Sequence, residues 1–136
     1  MLKLDQTQIE IIFAHARNAL PNECCGLLGG RENQVRSVYQ LTNAAHNPRV
    51  EYEAAPADLL RAQRIMRERG ERLLSIYHSH PTQIDPVPSE TDVRRAFYRD
   101  AVYLIVGCSK TQFVLRAFRL YETEHRWERA EFVAIG

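Results

Sequence analysis

The chain has 136 residues, with 18 Lys and Arg against 17 Asp and Glu, for a formal net charge of +1. That length suits one domain over residues 1–136 that can bury roughly two-thirds of its unfolded surface, and the balanced charge points to neither a nucleic-acid nor a membrane partner. The N-terminus has no apolar targeting core, the longest apolar run (Ala101 to Val106) is far too short to span a bilayer, and Cys24, Cys25 and Cys108 make a poor disulfide framework, so a reducing, cytoplasmic setting is expected.

Asp5 is placed to cap a first helix: Gln8 completes a capping box, and Leu4 and Ile9 form the hydrophobic staple. Ile9, Ile12, Phe13 and Ala16 follow at helical spacing, and Pro21 lies just past the end. Cys25 to Leu28 reads as a short buried strand closed by Gly29-Gly30. Gln34 to Leu41 and Val50 to Glu53 read as further strands, with Asn47-Pro48 as a turn between them. A second helix is expected from about Pro56 to Arg69, with Gly70 at its end and Leu59, Ala62 and Met66 facing inward. Leu73 to His78 reads as a strand, and Pro81, Pro86 and Pro88 make residues 81–88 a loop. Ser89 can cap a third helix whose apolar face is Val93, Ala96 and Phe97. Val102 to Val106 is a buried strand, and Thr111 to about Ala134 an antiparallel pair turning near Glu122 to His125. The order of elements describes a mixed α/β layer structure.

The chemistry concentrates in His78-Ser79-His80-Pro81 and Ser89-Glu90-Thr91-Asp92. Residues i and i+2 of a strand share a face, with Cβ atoms roughly 6 to 7 Å apart, so two imidazoles there can converge on one ion. Zinc accepts neutral imidazole nitrogens and a carboxylate oxygen, and catalytic zinc sites commonly have three protein ligands. His78, His80 and Asp92 would supply them. The same pair also describes two ordinary surface histidines, and Ser89-x-x-Asp92 also describes a capping box. Ser89 can cap the helix, face the site, or do both. A water activated by the metal needs a base, and Glu23, just before the strand at Cys25, is the candidate; a solvated junction residue is the alternative.

These residues together resemble the JAMM/MPN metallopeptidases: a glutamate at the start of a Gly-containing strand, then H-S-H-P, then S-x-x-D. The matching residues are Glu23, His78, Ser79, His80, Pro81, Ser89 and Asp92. Pro21 to Gly29, Leu41 to Ala45, Tyr52-Glu53 and Pro56 to Leu59 look like the small bacterial members. The eight residues from Pro81 to Pro88 are one more than the family's usual spacing. The resemblance implies a single-domain mixed β-sheet flanked by helices, cytidine-deaminase-like. It implies a zinc-dependent hydrolase of peptide or isopeptide bonds, with Zn2+ held by His78, His80 and Asp92. Glu23 would be the general base, and Ser89 would donate a hydrogen bond to the developing oxyanion. The substrate would be a protein or peptide, and small bacterial members are associated with ubiquitin-like sulfur carriers ending in Gly-Gly.

Competing readings have less behind them. A nucleobase deaminase needs H-x-E with P-C-x-x-C, and the common H-E-x-x-H metallopeptidase motif is absent too. A catalytically inactive MPN-type interaction scaffold would have lost ligands, and none is lost here. Cys24 and Cys25 read as core rather than as a thiol nucleophile, and Cys108 as the end of a buried strand. His15 is expected to be solvated, His46 and His125 to lie in loops, and Trp127 to serve packing. The Arg-rich stretch from Arg61 to Arg72 is expected to be a solvated helix face.

Overall fold

The computed structural model describes all residues, 1–136. In chain order the elements are β1 (Leu2–Asp5), α1 (Gln6–Ala19), β2 (Cys25–Arg31), β3 (Gln34–Leu41), α2 (Pro56–Glu68), β4 (Arg72–His80), α3 (Glu90–Arg94), β5 (Val102–Cys108), β6 (Phe113–Tyr121), β7 (Arg126–Ala130) and β8 (Phe132–Ile135). The strands form one mixed sheet in the order β7-β6-β5-β4-β2-β3-β1-β8. β4 runs parallel to β5 and antiparallel to β2. The expected mixed α/β architecture is therefore present, and no helix is long and apolar enough to cross a membrane.

Each face of the sheet has its own core. α1 begins at the expected capping box, where the Asp5 carboxylate accepts from Gln8 N at 2.8 Å and Gln8 Oε1 accepts from Asp5 N at 2.9 Å. It packs Ile9, Ile12 and Ala16 with Leu4, Leu28, Tyr77 and Leu104. On the other face Ala62 and Met66 of α2 pack with Cys25, Leu27, Ile76, Ile105 and Phe118. Successive strand residues point to opposite faces, which puts Cys24 in the first core and Cys25 in the second. β5 is buried along its whole length, as its unbroken apolar run requires of a strand covered on both sides.

Several expected boundaries are corrected. β2 does not stop at Gly29-Gly30 but runs through them to Arg31. The glycines mark a register shift, and at Gly30 a side chain would collide with the Gln34 carbonyl across the ladder. The turn is made instead by Glu32 and Asn33, at φ 53 and 67, as a two-residue hairpin of the tight mirror-image type requires. Val50 to Glu53 is not a strand. Val50 closes a turn, the one bridge nearby is the isolated Asn43–Ala54 pair, and the Asn43 side chain and Ala44 N–H hold Glu51 and Glu53. The C-terminal segment is not one hairpin: after the β6–β7 pair the chain continues as β8, which lies parallel to β1, with Leu2 opposite Phe132. Phe97 is not on an inward helix face. α3 ends at Arg94, and Phe97 is 73% exposed while Val93 and Ala96 are buried.

Candidate active site

Four of the five proposed site residues meet on the α2 side of the sheet, at the end of β4. His78 and His80 alternate with Ser79, so both rings share one face, while Ser79 turns to the other and its Oγ accepts from Cys24 N at 2.8 Å. The ladder pairs Cys25 with His78. Continued outward by two residues, that register places Glu23 beside His80. Asp92 arrives from the first turn of α3. Glu23, His78, His80 and Asp92 are all buried.

The donor atoms form a nearly equilateral triangle. His78 Nε2 is 3.1 Å from His80 Nε2 and 3.1 Å from Asp92 Oδ2, and His80 Nε2 is 3.0 Å from Asp92 Oδ2. Tetrahedral zinc, with bonds of about 2.0 to 2.1 Å, separates its ligand atoms by about 3.3 Å, so this donor set fits zinc in both chemistry and spacing. Glu23 joins both histidines in a second buried group whose donor atoms could also hold a metal. It places a carboxylate oxygen within 4.8 Å of ligand atoms on both histidines, yet makes no hydrogen bond or ion pair with either ring. Its Oε1 is buried without any partner. The carboxylate is thus close enough to the two imidazoles to share an ion with them or to hydrogen-bond a water between them.

Asp92 and His80 have polar supports, whereas His78 Nδ1 is buried without a hydrogen-bond partner. Asp92 Oδ2 also accepts from Ser89 N at 2.9 Å, and Ser89 Oγ accepts from Asp92 N at 3.0 Å. The two readings of Ser89-x-x-Asp92 thus coexist: the capping box itself aims the carboxylate at the imidazoles. Ser89 is exposed, and its hydroxyl hydrogen is uncommitted. His80 Nδ1 bonds Gln83 Oε1 at 3.2 Å, which leaves Nε2 its lone pair for a metal. Tyr52 stacks on His78, with ring centroids 4.4 Å apart and planes at 25°. Gln83 carried no signal in the sequence and Tyr52 only its part in the family resemblance, because both act through loops whose path periodicity does not reveal. The longer loop is accommodated over Gly107, where Cys108 N donates to the Gln83 carbonyl at 2.7 Å.

Electrostatics follow the geometry. Burial pushes the Glu23 carboxyl up to about 8; His80 opposes this and is outweighed, while Asp92 and Glu51 add to it. Burial would raise Asp92 too, but the His78 and His80 imidazoles reverse that and hold it far below the ordinary carboxylate range. Burial lowers the His80 imidazole, and its hydrogen bond and charge attraction to Asp92 more than offset this. Burial raises the Cys24 thiol to about 11 and Cys25 to about 12, so neither forms a thiolate nucleophile near neutral pH. His15 is half-buried rather than solvated: its Nδ1 bonds the Tyr77 hydroxyl at 2.7 Å. His46 and His125 are exposed, as expected, and Trp127 packs edge-on against Phe118.

Beside the site an apolar groove of about 410 Å³ is lined by Cys25, Leu41, Tyr52, Leu59, Phe97 and Tyr103, among others. Residues 5–121 match the family described as prokaryotic homologs of the JAB domain. The chain is 35% identical over 127 residues to a desampylase of Haloferax volcanii, covering 89% of this chain and 84% of that one. It is 34% identical over 117 residues to the CysO-cysteine peptidase of Mycobacterium tuberculosis, covering 84% and 79%. The solution structure of protein DSY2949 from Desulfitobacterium hafniense superposes with a TM-score of 0.85 at 35% identity, over 99% of this chain and 93% of that one. The converging imidazoles and carboxylate thus sit in a fold and a sequence context of known kind, and the chain belongs to the prokaryotic homologs of the JAB domain, the small JAMM-type family that its motifs indicated.

Proposed function

We propose that this protein is a zinc-dependent peptidase or isopeptidase, acting as one domain in the cytoplasm, that cleaves after the C-terminal Gly-Gly of a ubiquitin-like sulfur carrier. The observation that carries the reading is the triangle of His78 Nε2, His80 Nε2 and Asp92 Oδ2, with sides of 3.0 to 3.1 Å. These three residues would hold the metal. When bound, zinc supplies a Lewis acid that makes water more acidic and polarises the scissile carbonyl. Glu23 takes the proton from the attacking water and returns it to the leaving amine, for which its partnerless Oε1 is suited. Ser89 donates its uncommitted hydroxyl hydrogen to the developing oxyanion. The apolar groove beside Tyr52 holds the chain leading to the scissile bond.

The carrier substrate is supported by the relatives, a desampylase and a CysO-cysteine peptidase. An inactive scaffold is the alternative, and the intact donor set argues against it. The test offers zinc-loaded protein a panel of ubiquitin-like carriers bearing extensions after Gly-Gly and reads the products by mass. Release of the extension at that bond is the expected result. Intact carriers throughout, with zinc bound, would reject the substrate assignment.

A further inference from the structure

Asn43 opens the loop between β3 and α2, and every polar atom of its side chain is engaged. Its Nδ2 donates to the carbonyls of Glu23 at 3.0 Å, Glu51 at 3.0 Å and Pro48 at 3.5 Å. Its Oδ1 accepts from Ala45 N at 3.0 Å and Glu53 N at 3.1 Å. The amide orientation follows from this: nitrogen faces only carbonyls and oxygen faces only N–H groups. The loop it gathers then grips Glu23 a second time, because Glu23 N donates to the Pro48 carbonyl at 2.8 Å. The same loop carries Tyr52 onto the His78 ring.

The consequence for Glu23 is specific. It lies outside β2, which begins at Cys25, so no ladder bond of the sheet holds its peptide groups. Its N–H is held by Pro48 and its carbonyl by Asn43. Its carboxylate makes no hydrogen bond and is held only by its backbone and by packing. Beside the few backbone bonds of residues 44–53, the Asn43 side chain joins three carbonyls and two N–H groups.

We infer that Asn43 is a positioning residue that sets the backbone of Glu23, and through it the place of the carboxylate. Asn43 touches neither the metal ligands nor the reacting atoms. The inference rests on Glu23 being the general base. Asn43→Asp is the sharpest probe, since it keeps the shape but sets an anionic oxygen against three carbonyls. Asn43→Ala removes the bonds without that repulsion.

The test compares wild type, Asn43→Asp, Asn43→Ala, Glu23→Gln and the Glu23→Gln/Asn43→Asp double variant, each zinc-loaded. The substrate is a ubiquitin-like carrier fused through its Gly-Gly terminus to a short peptide. In the Asn43 variants kcat should fall about ten- to hundredfold, with KM and zinc content little changed, as a displaced catalytic group requires. In the Glu23→Gln background Asn43→Asp should cost nothing further, because the group it places is already disabled. Amide exchange of the metal-free protein gives a readout independent of turnover. The Glu23 N–H should lose protection in both Asn43 variants while the Leu28 N–H in mid-strand keeps it. Losses that multiply in the double variant, or unchanged kcat and unchanged Glu23 exchange, would overturn the inference while leaving Glu23 as base. Failure of both single variants to fold would also overturn it, since Asn43 would then serve the fold as a whole. Full activity of Glu23→Gln would instead remove the base on which the inference stands.

Discussion

Cys25 pairs with His78 across the β2–β4 ladder, and this one register brings Glu23 beside the two imidazoles. Residues separated by more than fifty positions become neighbours because antiparallel strands keep fixed partners. Two residues beyond that pair, Glu23 and His80 face the same side. A slip of one residue would send Glu23 to the α1 face and leave Asp92 as the carboxylate beside the imidazoles.

Metal binding should depend on all three vertices of the triangle. Purified protein is expected to hold about one zinc per chain by elemental analysis, and His78→Ala and Asp92→Ala should each lose most of it. Chelated wild type should keep its circular dichroism and a cooperative melt, because two apolar cores flank the sheet independently of the site. Full zinc content in Asp92→Ala would reduce that residue to a helix cap. Collapse on chelation would make the metal structural.

Glu23→Gln should separate binding from catalysis. The glutamine keeps the volume and the backbone contacts but accepts no proton. Zinc content should stay near wild type, while cleavage falls at least about a hundredfold. Cys24→Ala, in the opposite core, should remain active, since a thiol with a pKa of about 11 contributes no nucleophile. Activity surviving in Glu23→Gln would place the base elsewhere.

The stability of the metal-free protein should fall as pH rises through the range set by Glu23. Its carboxyl is raised from 4.5 to about 8 in the folded state, so between those values the folded chain keeps a proton that the unfolded chain releases. Stability from this group is complete below the lower value and is lost progressively up to the higher one. Asp92 works in the opposite sense: held low when folded, it stabilises above its ordinary pKa of 3.8, and that contribution is lost as pH falls below it. Thermal melts of chelated protein at about pH 5 and about pH 9 would show the effect, and Glu23→Gln should flatten the decline and melt higher at the alkaline end. The same slope in both proteins would mean that the carboxylate is not meeting the cost of burial.

Gly107 should prove intolerant of a side chain. A Cβ there would lie 2.6 Å from Pro86 Cδ, 2.7 Å from the Gln83 carbonyl oxygen and 2.8 Å from that of Ile84. Gly107 is also the strand neighbour of His80, and Gln83 bonds the His80 ring. Gly107→Ala is therefore expected to cost about 1 to 3 kcal/mol by denaturant unfolding. It should also weaken zinc retention in a competition with chelator. Loss of stability with zinc retention unchanged would show that the loop can move without disturbing His80.

The amino-acid sequence by itself determined most local elements and singled out the candidate site residues. The Asp5–Gln8 box, the helix through Ala62 and Met66, the buried run in β5 and the H-x-H spacing all depend on contacts within a few residues or on strand alternation. Such signals are written directly in residue order. Ser89 and Asp92 were legible as a cap for the same reason. Only the tertiary structure decided that this cap also points its carboxylate at two imidazoles, and that Glu23 is buried beside them with a partnerless oxygen. It alone paired β1 with β8 from opposite ends of the chain, ran β2 through Gly29 and Gly30, and replaced an expected strand at residues 50–53 with a loop tied to Asn43. Those outcomes are set by long-range pairing, where the partner of a backbone group or an amide lies tens of residues away. Local propensity carries no information about which distant atom will satisfy it.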